Sequence, residues 1–488
     1  MLDLTPTPRS LTSALPPEVL GHITNILADS LEISNVKDLK SLALVCKAFL
    51  PFCTAIIFSQ IDASGRFGHE WHSIQGHVQR LQRLAQVFKA NPKLLKHVRK
   101  LKIYLDEEQE SYGLYVCFQD TILGFPNLTH LSSETMAKPG NGSAVLAWQK
   151  RMIEHYLAQN TLCGLSIESV VDIDFAKILN CTSLRQVDLI TLPISCPIAT
   201  SPSRSTSIFG NNICKIQIYS NPRFPLSILS LLPHLKDLNL NNTGVIPSGL
   251  CEEHRPSLML ETLCLRLENI DDLRAFCNFY KQHAKKAGLR PFEHLKKLEI
   301  RIREPEDAII SQTLLQDAKD LISLDIHCLC YIAAQPNLLL EHHFRTTFSR
   351  LTIFDLQISL DQDVSYDQTM SLVCGVFKHI PHMNVLERVG IFVKDNGWRY
   401  QEDEMDPTNL PTNPWGELAC MLASPQRFPR LQYVKFSLMM GFGPAYRVII
   451  TSWKPEEAPQ TPFSFLPASM VTLGRRLGCY FDLFILLT

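Results

Sequence analysis

Twelve times along this chain a large apolar residue is followed by another three positions later. In eleven of the twelve, a third stands two positions beyond that. The triplets are Val98/Leu101/Ile103, Leu162/Leu165/Ile167, Leu184/Val187/Leu189, Ile213/Ile216/Ile218, Leu235/Leu238/Leu240, Leu260/Leu263/Leu265, Leu295/Leu298/Ile300, Leu321/Leu324/Ile326, Leu351/Phe354/Leu356, Leu386/Val389/Ile391 and Leu431/Val434/Phe436. Leu128/Leu131 is the twelfth, weaker copy. The last two anchors alternate with polar residues, as one buried face of a strand requires. Proline often marks the approach, as in Phe125-Pro126-Asn127-Leu128 and Leu232-Pro233-His234-Leu235.

The starts lie 22 to 45 residues apart. Five of the eleven intervals fall within the roughly 20–29 residues of a leucine-rich repeat, and the longer ones hold helical patterns such as Leu273 to Lys286. Each unit therefore reads as a strand followed by a helix or loop. One such unit cannot bury its own apolar face, so neighbours must stack. The expected fold class is α/β: an irregular leucine-rich-repeat solenoid over 98–488, with a parallel sheet on the concave side. Three stretches read as loop insertions, near 191–212, 400–414 and 454–462. In each strand the residues between and just after the anchors face outward. Tyr104, Tyr219, Arg266, Arg301 and His327 are the candidate partner-binding residues on that face, because aromatic, Arg and related side chains anchor interfaces.

Composition narrows the function classes. Lys plus Arg total 47 and Asp plus Glu 48, a net charge of −1, which speaks against a nucleic-acid binder. Hydrophobic residues make up 45% and charged residues 19%, so the chain is not globally disordered. The 15 cysteines sit mostly in apolar runs such as Leu263-Cys264-Leu265 and form no C-x-x-C pair. That fits a reducing compartment, cytoplasmic or nuclear. Met1 to Ala14 lacks the charged-then-apolar pattern of a signal peptide. No apolar run is long enough to cross a membrane, and Phe481 to Leu487 is far too short.

The first residues, 1–12, read as a loose arm, and 61–97 as a helical linker or cap. Between them, 13–60 reads as three short helices. Leu15-Pro16-Pro17 opens the first, with Leu20, Ile23 and Leu27 at helical spacing. The second follows Ser34-Asn35, and the third starts near Phe49 and is entered through Pro51. The set Leu15-Pro16-Pro17-Glu18-Val19-Leu20, Ile23, Leu27, Asp38-Leu39, Leu42 and Val45-Cys46-Lys47-Ala48-Phe49 resembles an F-box. Phe49 takes the place of the usual Trp three after the Cys. The chain carries several more residues between Leu27 and Leu39 than a compact F-box does. With repeats behind it, the chain resembles the fungal F-box/leucine-rich-repeat proteins.

That resemblance implies a substrate receptor of an SCF-type ubiquitin ligase. The helices would dock on an SKP-family adaptor, and through it on cullin and RING subunits, while the repeats hold an unknown protein substrate. It implies that Leu15, Pro16, Leu20, Ile23, Leu39, Leu42, Val45, Cys46 and Phe49 form the F-box core or the adaptor contact. It also implies no catalysis by this chain and no cofactor. The competing expectation is a repeat scaffold that binds a protein partner without any ubiquitin role, its helices a plain cap on the solenoid's apolar end. Neither nucleic acid nor membrane is an expected partner.

Other motifs carry little. No G-x-S-x-G, phosphate-binding loop or H-E-x-x-H occurs. His327-Cys328-Leu329-Cys330 with Glu341-His342-His343 has metal-ligand types, but C-x-C on a strand sends both thiols to one apolar face, and the spacing matches no standard zinc site. No metal is expected.

Overall fold

All twelve repeat starts end in the interior. From Val98 to Leu386 they are at most 1% exposed, and Leu431 is 7% exposed. The computed structural model describes residues 16–29, 35–45, 47–63, 66–67, 70–71, 74–105, 114–135, 144–168, 174–190, 212–247, 256–329, 350–360, 366–382, 384–395, 414–440, 449–450 and 480–487. The expected insertions at 191–212, 400–414 and 454–462, and the Glu341-His342-His343 segment, lie almost wholly outside them. Among the described residues no helix is long and apolar enough to cross a membrane.

The chain divides into two units, Met1–Ile213 and Cys214–Thr488. The first opens with α1 (Pro17–Asp29), α2 (Asn35–Val45) and α3 (Leu50–Ile57). Strand β1 (Gln60–Ala63) follows directly. After the short pair β2 (Arg66–Phe67) and β3 (Glu70–Trp71) come α4 (Ile74–Ala90) and a 3-10 turn, Pro92–His97. Strands β4 (Lys100–Leu105), β5 (His130–Thr135), β6 (Gly164–Glu168) and β7 (Gln186–Ile190) follow, separated by α5 (Leu114–Ile122), α6 (Ala144–Gln159) and α7 (Phe175–Asn180). Strands β1, β4, β5, β6 and β7 lie side by side in that order, each parallel to the next.

The stretch 61–97 thus contains a strand as well as a helix. Ile61 and Ala63 of β1 are buried and pair with Leu101 and Ile103. The weak repeat at Leu128 also finds its third anchor. Ser133 occupies that place, 1% exposed, and its hydroxyl accepts a 2.9 Å hydrogen bond from Gln149 Nε2 on α6. A polar residue is tolerated in an apolar layer when a partner satisfies it.

In the second unit, β8 (Lys215–Tyr219), β10 (Asp237–Thr243), β12 (Thr262–Leu267), β13 (Lys297–Ile302), β14 (Ser323–Leu329), β15 (Ile353–Leu360), β16 (Arg388–Asp395), β17 (Tyr433–Met440) and β19 (Tyr480–Leu487) run parallel in sequence order. Strand β18 (Ile449–Ile450) pairs antiparallel with β19. The short strands β9 (Phe224–Pro225) and β11 (Val245–Ile246) pair with each other. Helices α8 (Ile270–Ala287), α9 (Pro305–Asp317), α10 (Tyr366–His379) and α11 (Pro414–Leu422) connect the later strands. The architecture is mixed α/β with a long parallel sheet, in keeping with a leucine-rich-repeat solenoid.

One backbone device fixes the register. The carbonyl of Lys236 accepts both the Glu261 and Thr262 amides, that of Glu261 accepts Lys296 and Lys297, and that of Lys296 accepts Ile322 and Ser323. The same double bond recurs at Ile322, Thr352 and Glu387, and in the first unit at Ser59, Arg99, Thr129 and Cys163. Each strand therefore starts level with its neighbour, and equivalent repeat positions stack in columns.

Helix α8 shows why these segments are helical. Asn269 caps its start by accepting the Asp272 amide, Asp271 and Asp272 sit in the first turn, and Lys285 and Lys286 in the last. Gly288 ends it at φ 66°, where a side chain would be strained. Phe276, Tyr280 and Phe292 pack beneath it, all at most 1% exposed.

Gly244 marks a close approach. A Cβ built there would stand 2.4 Å from the Pro222 carbonyl oxygen, which is backbone and cannot rotate away. Its N–H donates to Asn221 O, and its own carbonyl accepts from Phe224 N. Gly244→Ala is expected to lower stability by about 1–3 kcal/mol, the usual effect of overpacking. A thermal melt of the full chain against wild type checks this.

Candidate functional site

Two surfaces stand out, one in each unit. On the N-terminal helices, Leu20, Leu39, Phe49 and Cys53 form a small core, and Ile23, Leu42, Ala43, Ala48, Phe52, Ile56 and Ile57 pack around it. Of the residues the sequence singled out, Leu20, Leu39 and Phe49 are thus internal, while Ile23 and Leu42 flank the core. Pro16 is exposed, and its carbonyl starts α1 by accepting the Val19 and Leu20 amides. Val45 closes α2. Leu15 and Cys46 lie outside the described residues.

What the pattern missed is the apolar surface the core leaves behind. Val19, Ile26, Leu44 and Leu50 are 40%, 56%, 88% and 49% exposed. They are distributed over all three helices. Single exposed apolar residues are ordinary. Four large ones on so small a helical unit are a candidate contact surface. The signal was present: Leu44 and Val19 stand off the apolar stripe that Leu20, Ile23, Leu39 and Leu42 define.

The second surface is the open face of the second unit's sheet. Parallel register sets Cys264 beside Glu299, Glu299 beside Asp325, and Asp325 beside Asp355. One residue pair further along the strands, Arg301 stands beside His327, and His327 beside Gln357. Neighbouring strands lie about 4.8 Å apart, so these side chains interact.

Arg266 dominates the centre. Its Nε donates to Glu299 Oε1 at 2.5 Å, and its Nη2 donates to His327 Nε2 at 2.8 Å. The same imidazole nitrogen lies 3.3 Å from Asp325 Oδ1. The guanidinium therefore reaches across β13 and ties β12 to β14. Donor atoms of Glu299, Asp325 and His327 all lie within 4.8 Å of one another, a grouping of metal-ligand types. Arg266 already supplies a cation to that group. Cys328 turns the opposite way from His327 and is 3% exposed in the core.

Electrostatics on this face are uneven. Burial pushes the Cys264 thiol well above its usual range, and the Glu299 carboxylate beside it adds to the shift. Burial raises the Asp355 carboxyl, with Asp325 next to it contributing. Burial lowers Arg301, and the neighbouring Arg303 and Arg266 lower it further.

Among the described residues, this face carries open depressions. One of about 230 Å³ is lined by Gln217, Asn239, Cys264, Lys297 and Glu299 among others. Another of about 210 Å³ is lined by Asp325, Asp355, Arg388, Phe392 and Lys435 among others. Both are smaller than the roughly 300–1,000 Å³ of small-molecule pockets.

The predicted face residues divide. Tyr219, Arg266 and Arg301 are partly exposed, and Asn239 donates to the Tyr219 hydroxyl at 3.3 Å. His327 is 8% exposed and engaged by Arg266. Tyr104, in the first unit, is 5% exposed and so offers a partner almost nothing, a correction to its expected place on the surface.

No protein-family model matches this chain, and no curated protein matches it. Among solved structures it is similar to an internalin from Listeria monocytogenes, with 13% identity, 70% of this chain and 83% of that chain covered, and a TM-score of 0.26. A likeness that weak carries no argument about this chain.

Proposed function

We propose that this chain is the substrate-binding subunit of an SCF-type ubiquitin ligase. Its N-terminal helices dock on an SKP-family adaptor, and the open sheet face takes a protein substrate. The observation that supports this reading is the exposure of Val19, Ile26, Leu44 and Leu50 on three helices that follow the F-box-like order of residues. Such a surface is stable in isolation only at the expense of hydrating apolar area, and an apolar groove on another protein removes that area from water. The two depressions on the sheet are better suited to side chains of a protein than to a small ligand.

In this reading the chain performs no bond chemistry. It raises the effective concentration of a substrate lysine near a charged ubiquitin carrier held by the cullin and RING subunits. Tyr219, Arg266 and Arg301 are the candidate substrate contacts, with His327 holding Arg266 in place.

The test is co-purification of full-length chain with an SKP-family adaptor. Leu15→Ala combined with Pro16→Ala should weaken that association while the thermal melt stays near wild type. An adaptor yield unchanged by the double substitution would count against the assignment.

A further inference from the structure

A partly buried cation is normally paired, because removing charge from water without a counter-charge is unfavourable. Arg301 departs from that rule. It sits on β13 in the middle of the sheet, with His327 level with it on β14. Its neighbour Arg266 follows the Leu265–Ile300 pair one strand back. Glu299, the closest carboxylate in sequence, is taken by Arg266. Arg303, one residue past the end of the same strand, donates to the Glu268 carbonyl. What remains for Arg301 among the described residues is one hydrogen bond, Nη1 to Asn242 Oδ1 at 3.3 Å. Among the described residues no carboxylate lies within ion-pairing distance of it.

Two features make this more than a loose surface arginine. The sheet is rigid, and a guanidinium presents five N–H donors in a fixed fork that matches carboxylate and phosphoryl oxygens. Arg301 spends one donor on Asn242 and faces two further guanidinium groups, both already engaged. Burial and those two like charges also push its pKa below the usual arginine range, so its charge is under-compensated in this state of the protein. An arriving anion would relieve that repulsion and complete the fork.

We infer that Arg301 is an anion-recognition point on the sheet face, taking a carboxylate or phosphoryl group of the bound protein. Arg266 and Arg303 supply the surrounding positive field, and Asn242 sets the orientation of the fork. This rests on the reading above that the open face receives the partner. Charge-assisted bidentate bonds of this kind contribute about 1.5–3 kcal/mol, or roughly 10- to 150-fold in affinity.

The experiment uses full-length chain and three fluorescent peptide pools of one degenerate composition, differing only at a central phosphoserine, aspartate or serine. Anisotropy gives the affinities. The expected result is at least about tenfold tighter binding of an anionic pool than of the serine pool, a preference removed by Arg301→Gln and reduced but not lost in Arg301→Lys. Preference for phosphoserine alone identifies a phosphoryl ligand, and equal preference for aspartate identifies a carboxylate. The lysine variant keeps the charge and guards against a folding defect in the glutamine variant.

Equal binding of all three pools, no binding of any, or a preference that survives Arg301→Gln overturns the inference. Tyr219→Ala separates this from the parent reading. If it weakens every pool while Arg301→Gln changes nothing, the face binds protein and only the anion site is wrong. If neither substitution affects binding, the face itself is not the contact.

Discussion

Leu298→Ala is expected to destabilise the second unit by about 2–5 kcal/mol, seen as a lowered urea midpoint with little change in slope. Leu298 is fully buried on β13, level with Leu263 on one side and Leu324 on the other. Deleting its side chain leaves a cavity. The neighbours cannot close it by sliding, because the Glu261 and Lys296 carbonyls pin the starts of three adjacent strands. The effect should therefore fall in the upper part of that range. Lys297→Ala, one residue earlier and pointing outward, should change stability by no more than about 0.5 kcal/mol. Equal midpoints for the two variants would mean that the inward and outward positions have been exchanged.

Leu44→Asp carries the largest expected effect on binding. Leu44 is 88% exposed in the last turn of α2, so in the free protein a carboxylate there should cost only about 1 kcal/mol, from the helix dipole and lower helix propensity. Buried in an adaptor groove, the same carboxylate would lose its hydration without a partner. Affinity for an SKP-family adaptor should fall by about 2–4 kcal/mol, roughly 30- to 1,000-fold, as at an interface hot spot. Biolayer interferometry on wild-type and variant chains, with melts run in parallel, measures both quantities. A variant that binds as wild type does would place the contact elsewhere.

The repeat frame was legible because it is written in leucine-like residues at fixed offsets, and burial is what those residues provide. It failed where the same structural place is filled differently. Strand β1 has only Ile61 and Ala63 as inward anchors, too short and too small a signal beside the preceding helix. Ser133 holds an anchor position through its bond to Gln149, which no local pattern announces. Strand β19 carries Asp482 among its apolar residues and has Gly478 in sequence where a triplet's first anchor would stand, yet it pairs in register with β17.

The site was legible only as a set of outward positions. That Arg266 spans two strands to reach His327, leaving Arg301 without a carboxylate among the described residues, depends on rotamers and on strand neighbours far apart in sequence. Tyr104 had the right position in its repeat and still lies buried. On the helices, the spacing rule found the interior residues. It did not find the exposed ones, because the outward surface is set by how three helices rotate against each other around Leu20, Leu39, Phe49 and Cys53.

Hydrogen exchange on the full chain, with and without an SKP-family adaptor, addresses the N-terminal surface most directly. The account predicts slowed exchange confined to Pro17–Asp29, Asn35–Val45 and Leu50–Ile57, with the strands from Lys215 to Met440 unchanged. No protection in those three helices, or protection on the sheet instead, would contradict it.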